Sequence, residues 1–393
     1  MTTARDIFEM VSLEPTEEIS PVVRSIFNDT TAKAMLGWTV ESLRSESFGV
    51  GTLALMKVSG KAHIRGEVRP WSSVLKIMDC TPIEKTASVG TPIREVAAYK
   101  SGLFNGTATG LRSAKIHHIS EKQANIVWLW TEDLTAKPGQ FGYSWSSYQY
   151  FTIAETLGQF KGQMLRTVLP PESWMNYNAG ITRWTSPAMM NLCKTLEQHS
   201  DSDYVRTVMP CQIFDRVLEF ESEILLLARA IEHVPMTLAH GDFHISNMFT
   251  QLGHDGVAQV VAIDLASVGI EPIGVDIGTL IGASLTWGDE EADAVMSIER
   301  EVFNSFVHGL RLQGCVIPED TIRLGYLGTL CGYARSVGTI PSTVAHEYGP
   351  WEWVLKRYGG SKQQLPYSYR RRIEFAVAIF DEAVGLVRRL GYR

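Results

Sequence analysis

The segment His240-Gly241-Asp242-Phe243-His244-Ile245-Ser246-Asn247, followed by the apolar run Val260-Val261-Ala262-Ile263-Asp264, decides how this chain is to be read. His-Gly-Asp alone is only a turn, where Asp is commonplace. The eight-residue pattern with a strand ending on Asp264 is more specific. It sets two carboxylates and an amide at the spacing that phosphoryl transfer requires. Asp242 is the expected acceptor of a proton from a substrate hydroxyl. Asn247 and Asp264 are the expected ligands of Mg²⁺, a hard ion usually held by few protein oxygens, with phosphate completing its shell.

Upstream, Ser47-Phe48-Gly49-Val50-Gly51-Thr52-Leu53-Ala54 leads into a strand. Gly49 and Gly51 would let backbone approach phosphate oxygens that a Cβ would obstruct, with Ala54 where a third glycine would stand. The plainer reading of two such glycines is a hairpin turn. Lys76 lies in the apolar run Ser73-Val74-Leu75-Lys76-Ile77-Met78, from which an ammonium could reach nucleotide phosphates. Its bland reading is an edge-strand lysine that discourages sheet pairing. Lys57 competes for the same role, at the end of the strand after the glycines. Thr91-Pro92 can cap and start a helix that carries Glu95 and Tyr99.

These motifs resemble those of the aminoglycoside phosphotransferase and choline kinase-like family, a branch of the protein-kinase-like fold. The family's catalytic loop commonly reads His-Gly-Asp-x-His-x-x-Asn, and every fixed position is matched between His240 and Asn247. The resemblance covers roughly residues 38–285 by motif and the remainder by helical character. It implies an α+β, bilobal protein-kinase-like fold with a small β-rich N-lobe and a larger, mainly helical C-lobe. It implies an ion pair between Lys76 and Glu95. Asp264 takes the place of the metal-binding Asp, although this chain reads Asp264-Leu265-Ala266. His244 would lie near the transferred phosphate or orient the loop, His240 would bond the loop backbone, and Asp276 would anchor the structure. The run from Ile126 to Leu134 resembles the family's interlobe hinge, so the Thr131 carbonyl and the Asp133 amide would contact adenine.

The activity so implied is transfer of the γ-phosphate of ATP, with Mg²⁺, to a hydroxyl of a small molecule such as an aminoglycoside, sugar or amino alcohol. The hinge sequence does not exclude GTP as the donor. Only about twelve residues separate Asp264 from Asp276, too few for the segment on which protein kinases dock a polypeptide. Two alternatives stand beside this reading: a nucleotide-binding pseudokinase with a regulatory role, and a protein kinase.

The rest of the chain fits a globular enzyme. Residues 1–37 read as a helical extension, 38–130 as the β-rich nucleotide-binding lobe and 131–393 as the helical lobe, with helical periodicity over 150–165, 213–234, 292–312 and 373–390. Hydrophobic content of 45% and charged content of 20% are ordinary for a soluble protein. A net charge of −7 argues against a general nucleic-acid binder. Five scattered cysteines without a C-x-x-C pair suggest reduced, mostly buried thiols. The acidic first twenty residues do not read as a signal peptide, and no apolar run spans a membrane, so a cytoplasmic protein is expected. For the acceptor, Trp145, Trp174, Trp184, Trp287, Trp351 and Trp353 are expected mainly in the core, with stacking on substrate the less common role. The acidic run Asp289-Glu290-Glu291 with Asp293 could attract a cationic acceptor, but a solvated helix start explains it more simply.

Overall fold

A computed structural model describes residues 16–43, 51–81, 90–105, 109–122, 125–136, 145–167, 172–186, 189–252, 258–286, 289–345 and 365–392. The small lobe runs through helix α1 (Thr16–Phe27), strands β1 (Lys33–Ala34), β2 (Thr39–Ser42), β3 (Thr52–Ile64) and β4 (Glu67–Asp79), helix α2 (Pro92–Ser101), and strands β5 (Leu111–Ser113), β6 (Ile116–Glu121) and β7 (Ile126–Glu132). Its sheet is antiparallel in the order β1-β3-β4-β7-β6, with β2 added on β3.

The β3–β4 hairpin is longer than its apolar runs suggest, because Lys61, His63 and Arg69 interrupt the hydrophobic signal while the pairing continues to Ile64 opposite Glu67. Arg65 and Gly66 close it with φ of 48° and 86°. Two consecutive left-handed residues give a turn whose twist matches that of the strands. Side chains then alternate. Ala54, Met56, Val58, Leu75 and Ile77 are buried together with Ile19, Val22 and Val23 of α1. Lys57 and Lys76 take the opposite face. The segment read as an N-terminal extension therefore shares the core of the sheet: α1 covers its outer face, and β1 pairs with β3.

The large lobe comprises α3 (Ser147–Met164), β8 (Asn176–Tyr177), α4 (Ala179–Trp184), α5 (Leu192–Glu197), α6 (Asp203–Val208), α7 (Cys211–Leu218), α8 (Phe220–Ile231), β9 (Met236–Ala239), β10 (Met248–Leu252), β11 (Ala258–Ala262), β12 (Gly269–Pro272), α9 (Val275–Ser284), α10 (Asp289–Leu312), α11 (Glu319–Ala345) and α12 (Leu365–Arg389). The helical stretch expected over 213–234 is split at Glu219, where N–H groups bond two and three residues back instead of four. Helices α3 and α10 cross closely enough that a Cβ on Gly158 would stand 2.1 Å from the Phe306 carbonyl oxygen.

Two small sheets carry the catalytic segment among these helices: β10-β11-β5 and β8-β12-β9. Strand β5 pairs in parallel with β11, so chain from the first part of the sequence is stitched to the strand that leads to Asp264. The architecture is α+β and bilobal, with a small β-rich lobe ahead of a larger, mainly helical one. Among the described residues no helix is long and apolar enough to cross a membrane. All five cysteines are free, and Cys80, Cys193 and Cys331 are buried.

Candidate active site

Lys76 is placed by β4, between Leu55 of β3 and Leu129 of β7. Its Nζ lies 2.6 Å from Glu95 Oε2 on α2 and 3.3 Å from Asp264 Oδ1. Glu95 is buried, and burial pushes its carboxyl up to about 7 despite the opposing charge of Lys76. For Lys76, burial works to lower the pKa, but the carboxylates of Glu95 and Asp264 outweigh it and raise it. The ammonium is thus held charged between two acids from different parts of the fold. Lys57 goes elsewhere: its Nζ is 2.9 Å from Asp133 Oδ2 and 3.2 Å from Thr135 Oγ1.

Helix α2 is fastened to the segment after Asp264. Pro92 occupies its first turn, Thr91 N–H donates to the Ala266 carbonyl at 3.0 Å, and Arg94 donates to the same oxygen at 2.8 Å and to the Trp174 carbonyl at 2.9 Å. Arg94, to which the sequence reading gave no part, joins the helix carrying Glu95 to the loop carrying Asp264. Asp264 itself has φ 60° and ψ 64°, a left-handed conformation that Asp tolerates better than most residues. Its carboxyl group remains 41% exposed in the cleft.

The catalytic loop is organised by Asp276, whose carboxylate accepts from the N–H of His240 and of Gly241, each at 2.9 Å. Lys161 of α3 stands 2.6 Å from the same carboxylate and donates to the Leu238 carbonyl. Both side chains are essentially without solvent contact. Burial pushes Asp276 up, but Lys161 first and His240 second hold its carboxyl below the usual carboxylate range. Lys161 was missed from sequence, although a signal existed: it falls four residues after Leu157 on the buried stripe of its helix, where an ammonium needs a carboxylate.

His240 is also buried, with Nε2 2.9 Å from the Ile263 carbonyl and Nδ1 accepting from Asp242 N–H at 3.3 Å. It ties the loop to the residue before Asp264. Gly241 has φ 79°, and a Cβ there would stand 2.3 Å from the Ser267 carbonyl oxygen, so only glycine fits.

Asn247 donates to the Asp242 carbonyl at 2.9 Å and to Asp242 Oδ2 at 3.1 Å. With its amide nitrogen so engaged, its carbonyl oxygen is the atom left for a cation. His244 Nδ1 accepts from Ser246 N–H at 3.3 Å, and its Nε2 stands 3.2 Å from Asn247 Nδ2 and 3.4 Å from Asp242 Oδ2. In this structure the ring orients the loop. For Asp242, burial would raise the pKa, but His244, His240 and Arg183 together hold it below the usual range.

At the hinge, the Thr131 carbonyl accepts from Ser73 Oγ at 2.6 Å, and Asp133 uses its carboxylate on Thr135 and Lys57. Glu132 pairs with Arg112 and accepts from Lys115 N–H at 2.6 Å. Gly51 packs against Pro92 at the start of α2, and its carbonyl accepts from Asp79 N–H at 2.8 Å. Gly49 lies outside the described residues, as do Trp287, Trp351 and Trp353. Trp184 is buried, with Tyr333 edge-on at 4.9 Å, while Trp145 packs on Tyr150. Asp293 is paired with Arg371 at 2.7 Å.

The structure therefore brings Lys76 and Glu95 to Asp264, and ties the loop of Asp242, His244 and Asn247 to the residue before Asp264 through the Asn247 carbonyl and His240. Asn247 and Asp264 offer an amide and a carboxylate oxygen, a donor set that suits Mg²⁺ with water and phosphate filling the other positions.

No protein-family model matches the chain, and no curated protein matches it. Solved structures with a similar course of chain include an amicoumacin kinase in complex with AMP-PNP and Ca²⁺, at 13% identity over 85% of this chain and 87% of that one, with a TM-score of 0.46. A microcompartment-associated aminopropanol kinase matches at 11% identity over 92% of this chain and 95% of that one, with a TM-score of 0.47. An ethanolamine kinase from Plasmodium vivax matches at 12% identity over 88% of this chain and 83% of that one, also at 0.47.

Proposed function

We propose that the protein is a Mg²⁺-dependent phosphotransferase that moves the γ-phosphate of ATP, or of GTP, to a hydroxyl of a small molecule. The observation that carries this reading is Lys76 joined at once to Glu95 and to Asp264. A lysine so held on a strand can grip nucleotide phosphates beside a metal-binding carboxylate. Asn247 and Asp264 would hold Mg²⁺, which neutralises charge on the phosphates. Gly49 and Gly51 would cover those phosphates, and the Thr131 carbonyl and Asp133 amide would meet the base.

On the acceptor side, the hydroxyl oxygen bonds to the γ-phosphorus as the bond to the bridging oxygen breaks and the nucleoside diphosphate leaves. The hydroxyl proton passes to Asp242. A carboxyl held below the usual range is a weak base, so Asp242 orients the hydroxyl first and takes the proton late, as a loose transition state allows. His244 and Asn247 fix the carboxylate for this. After Asp264 the chain makes one tight turn, passes through β12 and enters α9 at Val275, leaving little to dock a polypeptide.

The test is nucleoside diphosphate release with a panel of small alcohols. Asp242→Asn should lower transfer about 10²- to 10⁴-fold with nucleotide affinity unchanged. Transfer within a few-fold of the parent would refute the assignment of the base. Nucleotide binding without transfer to any acceptor would favour a pseudokinase, and transfer to polypeptides alone a protein kinase.

A further inference from the structure

A small cleft opens between α4, the turn after Asp264 and helices α9 and α11, with Gly241, Arg183, Trp184, Glu271, Thr279 and Tyr333 in its walls. Its wall includes Gly241, the residue before Asp242 in the chain. Arg183 supplies the cation of this lining and Glu271 the carboxylate. Glu271 is buried and turned to backbone: it accepts from the N–H of Ala179 at 2.6 Å and of Gly180 at 3.3 Å, and burial pushes it up to about 7. Asp276, the next acid inward, is committed to Lys161.

Arg183 is exposed, and its guanidinium lies over the Trp184 ring at 5.0 Å from the centroid. Among the described residues it has no carboxylate partner. A guanidinium steadied on an indole face, with no carboxylate on its N–H fork among the described residues, is a docking point for a planar or tetrahedral oxyanion.

We propose that Arg183 binds an oxyanion group of the acceptor, a carboxylate or a phosphate ester, so that this enzyme phosphorylates an anionic alcohol. The proposal rests on the phosphotransferase reading and narrows it. It runs against the cationic acceptors, aminoglycosides and amino alcohols, that the sequence resemblance implies. A polyamine would meet an unneutralised guanidinium next to Asp242. An anionic alcohol would place its charge on Arg183 and its hydroxyl toward Asp242.

The test uses the full chain with MgATP or MgGTP and acceptors matched in size and different in charge: hydroxycarboxylates, phosphate monoesters of diols, neutral polyols and amino alcohols. Anionic acceptors should stimulate nucleoside diphosphate release, and preference between the first two classes identifies the oxyanion. Arg183→Gln should raise KM for those acceptors about 10- to 100-fold, with kcat changed less and nucleotide KM unchanged. Arg183→Lys should recover part of the loss. The position is exposed, so an unchanged unfolding midpoint will show that the variants fold.

Stimulation only by neutral or cationic acceptors overturns the proposal and leaves the phosphotransferase reading intact. So does a panel in which anionic acceptors do nothing while nucleotide is bound and hydrolysed. An equal fall in kcat for every acceptor, with KM unmoved, also overturns it, since Arg183 would then serve the phosphoryl group. Absence of nucleotide binding overturns the reading on which it rests.

Discussion

Lys161→Met is the substitution that most directly probes how the catalytic loop is held. Asp276 has Lys161 Nζ at 2.6 Å and two backbone N–H groups at 2.9 Å, with both side chains cut off from water. Methionine fills much of the space of the lysine stem and removes the charge. Breaking a buried pair by deleting one partner costs about 3–5 kcal/mol. The two N–H bonds survive, and bonds to a charged acceptor are worth about 1.5–3 kcal/mol each, so the loss should sit near the low end, about 3 kcal/mol.

The pH dependence gives the decisive readout. In the parent, Asp276 is held below its ordinary value, so its contribution is complete above about pH 4 and is lost only as pH falls through the lowered pKa. Lys161 is the leading group that opposes burial there. Without it burial wins, and the folded state binds a proton that the unfolded chain releases. Stability of the variant then rises as pH falls toward the unfolded value. Urea unfolding of parent and variant at pH 8 and pH 5, followed by tryptophan emission, should show a deficit of about 3 kcal/mol that shrinks at the lower pH. Lys161→Met/Asp276→Asn should recover part of it. A deficit under about 1 kcal/mol at pH 8, or one of equal size at both pH values, would refute the reasoning.

Two other perturbations test neighbouring parts. Gly241→Ala forces a Cβ against the Ser267 carbonyl at a left-handed residue, so phosphotransfer should fall more than about 100-fold, with stability lowered by about 1–3 kcal/mol; near-parental kinetics would mean the loop conformation is not needed. Glu271 is pushed up to about 7, so the folded state keeps a proton that the unfolded chain loses near pH 4.3, and stability from this group falls as pH rises between those values. Glu271→Gln should flatten that slope in thermal unfolding measured from pH 5 to 8, and an unchanged slope would contradict the assignment.

The local chemistry of the site was legible where spacing alone constrains it. The loop from His240 to Asn247 is short enough that Asp242, His244 and Asn247 must be neighbours, and they are hydrogen-bonded to one another. Lys76 was legible as an ammonium on an apolar strand, and Glu95 as a first-turn residue after Thr91-Pro92. That they meet at 2.6 Å is a fact of packing, expected only through the family resemblance. The extent of β3 and β4 was hidden because exposed strand positions carry charged residues that read as loop. Helix α1 looked detached because an amphipathic stripe does not reveal which surface it covers.

Arg94, Arg183 and Lys161 mark the limit. Each is a cation whose meaning depends on a group distant in the chain: the Ala266 carbonyl, the Trp184 face beside Asp242, the Asp276 carboxylate. The sequence by itself determined the spacing of the His240–Asn247 loop and the β-then-α order, because those depend on bonds and periodicities a few residues long. Only the tertiary structure decided which lysine meets Glu95 and Asp264, what holds the loop from behind and which charge lines the pocket beside Gly241. Those depend on which buried charges find partners when distant segments pack, and a buried charge without a partner costs too much to be left to chance.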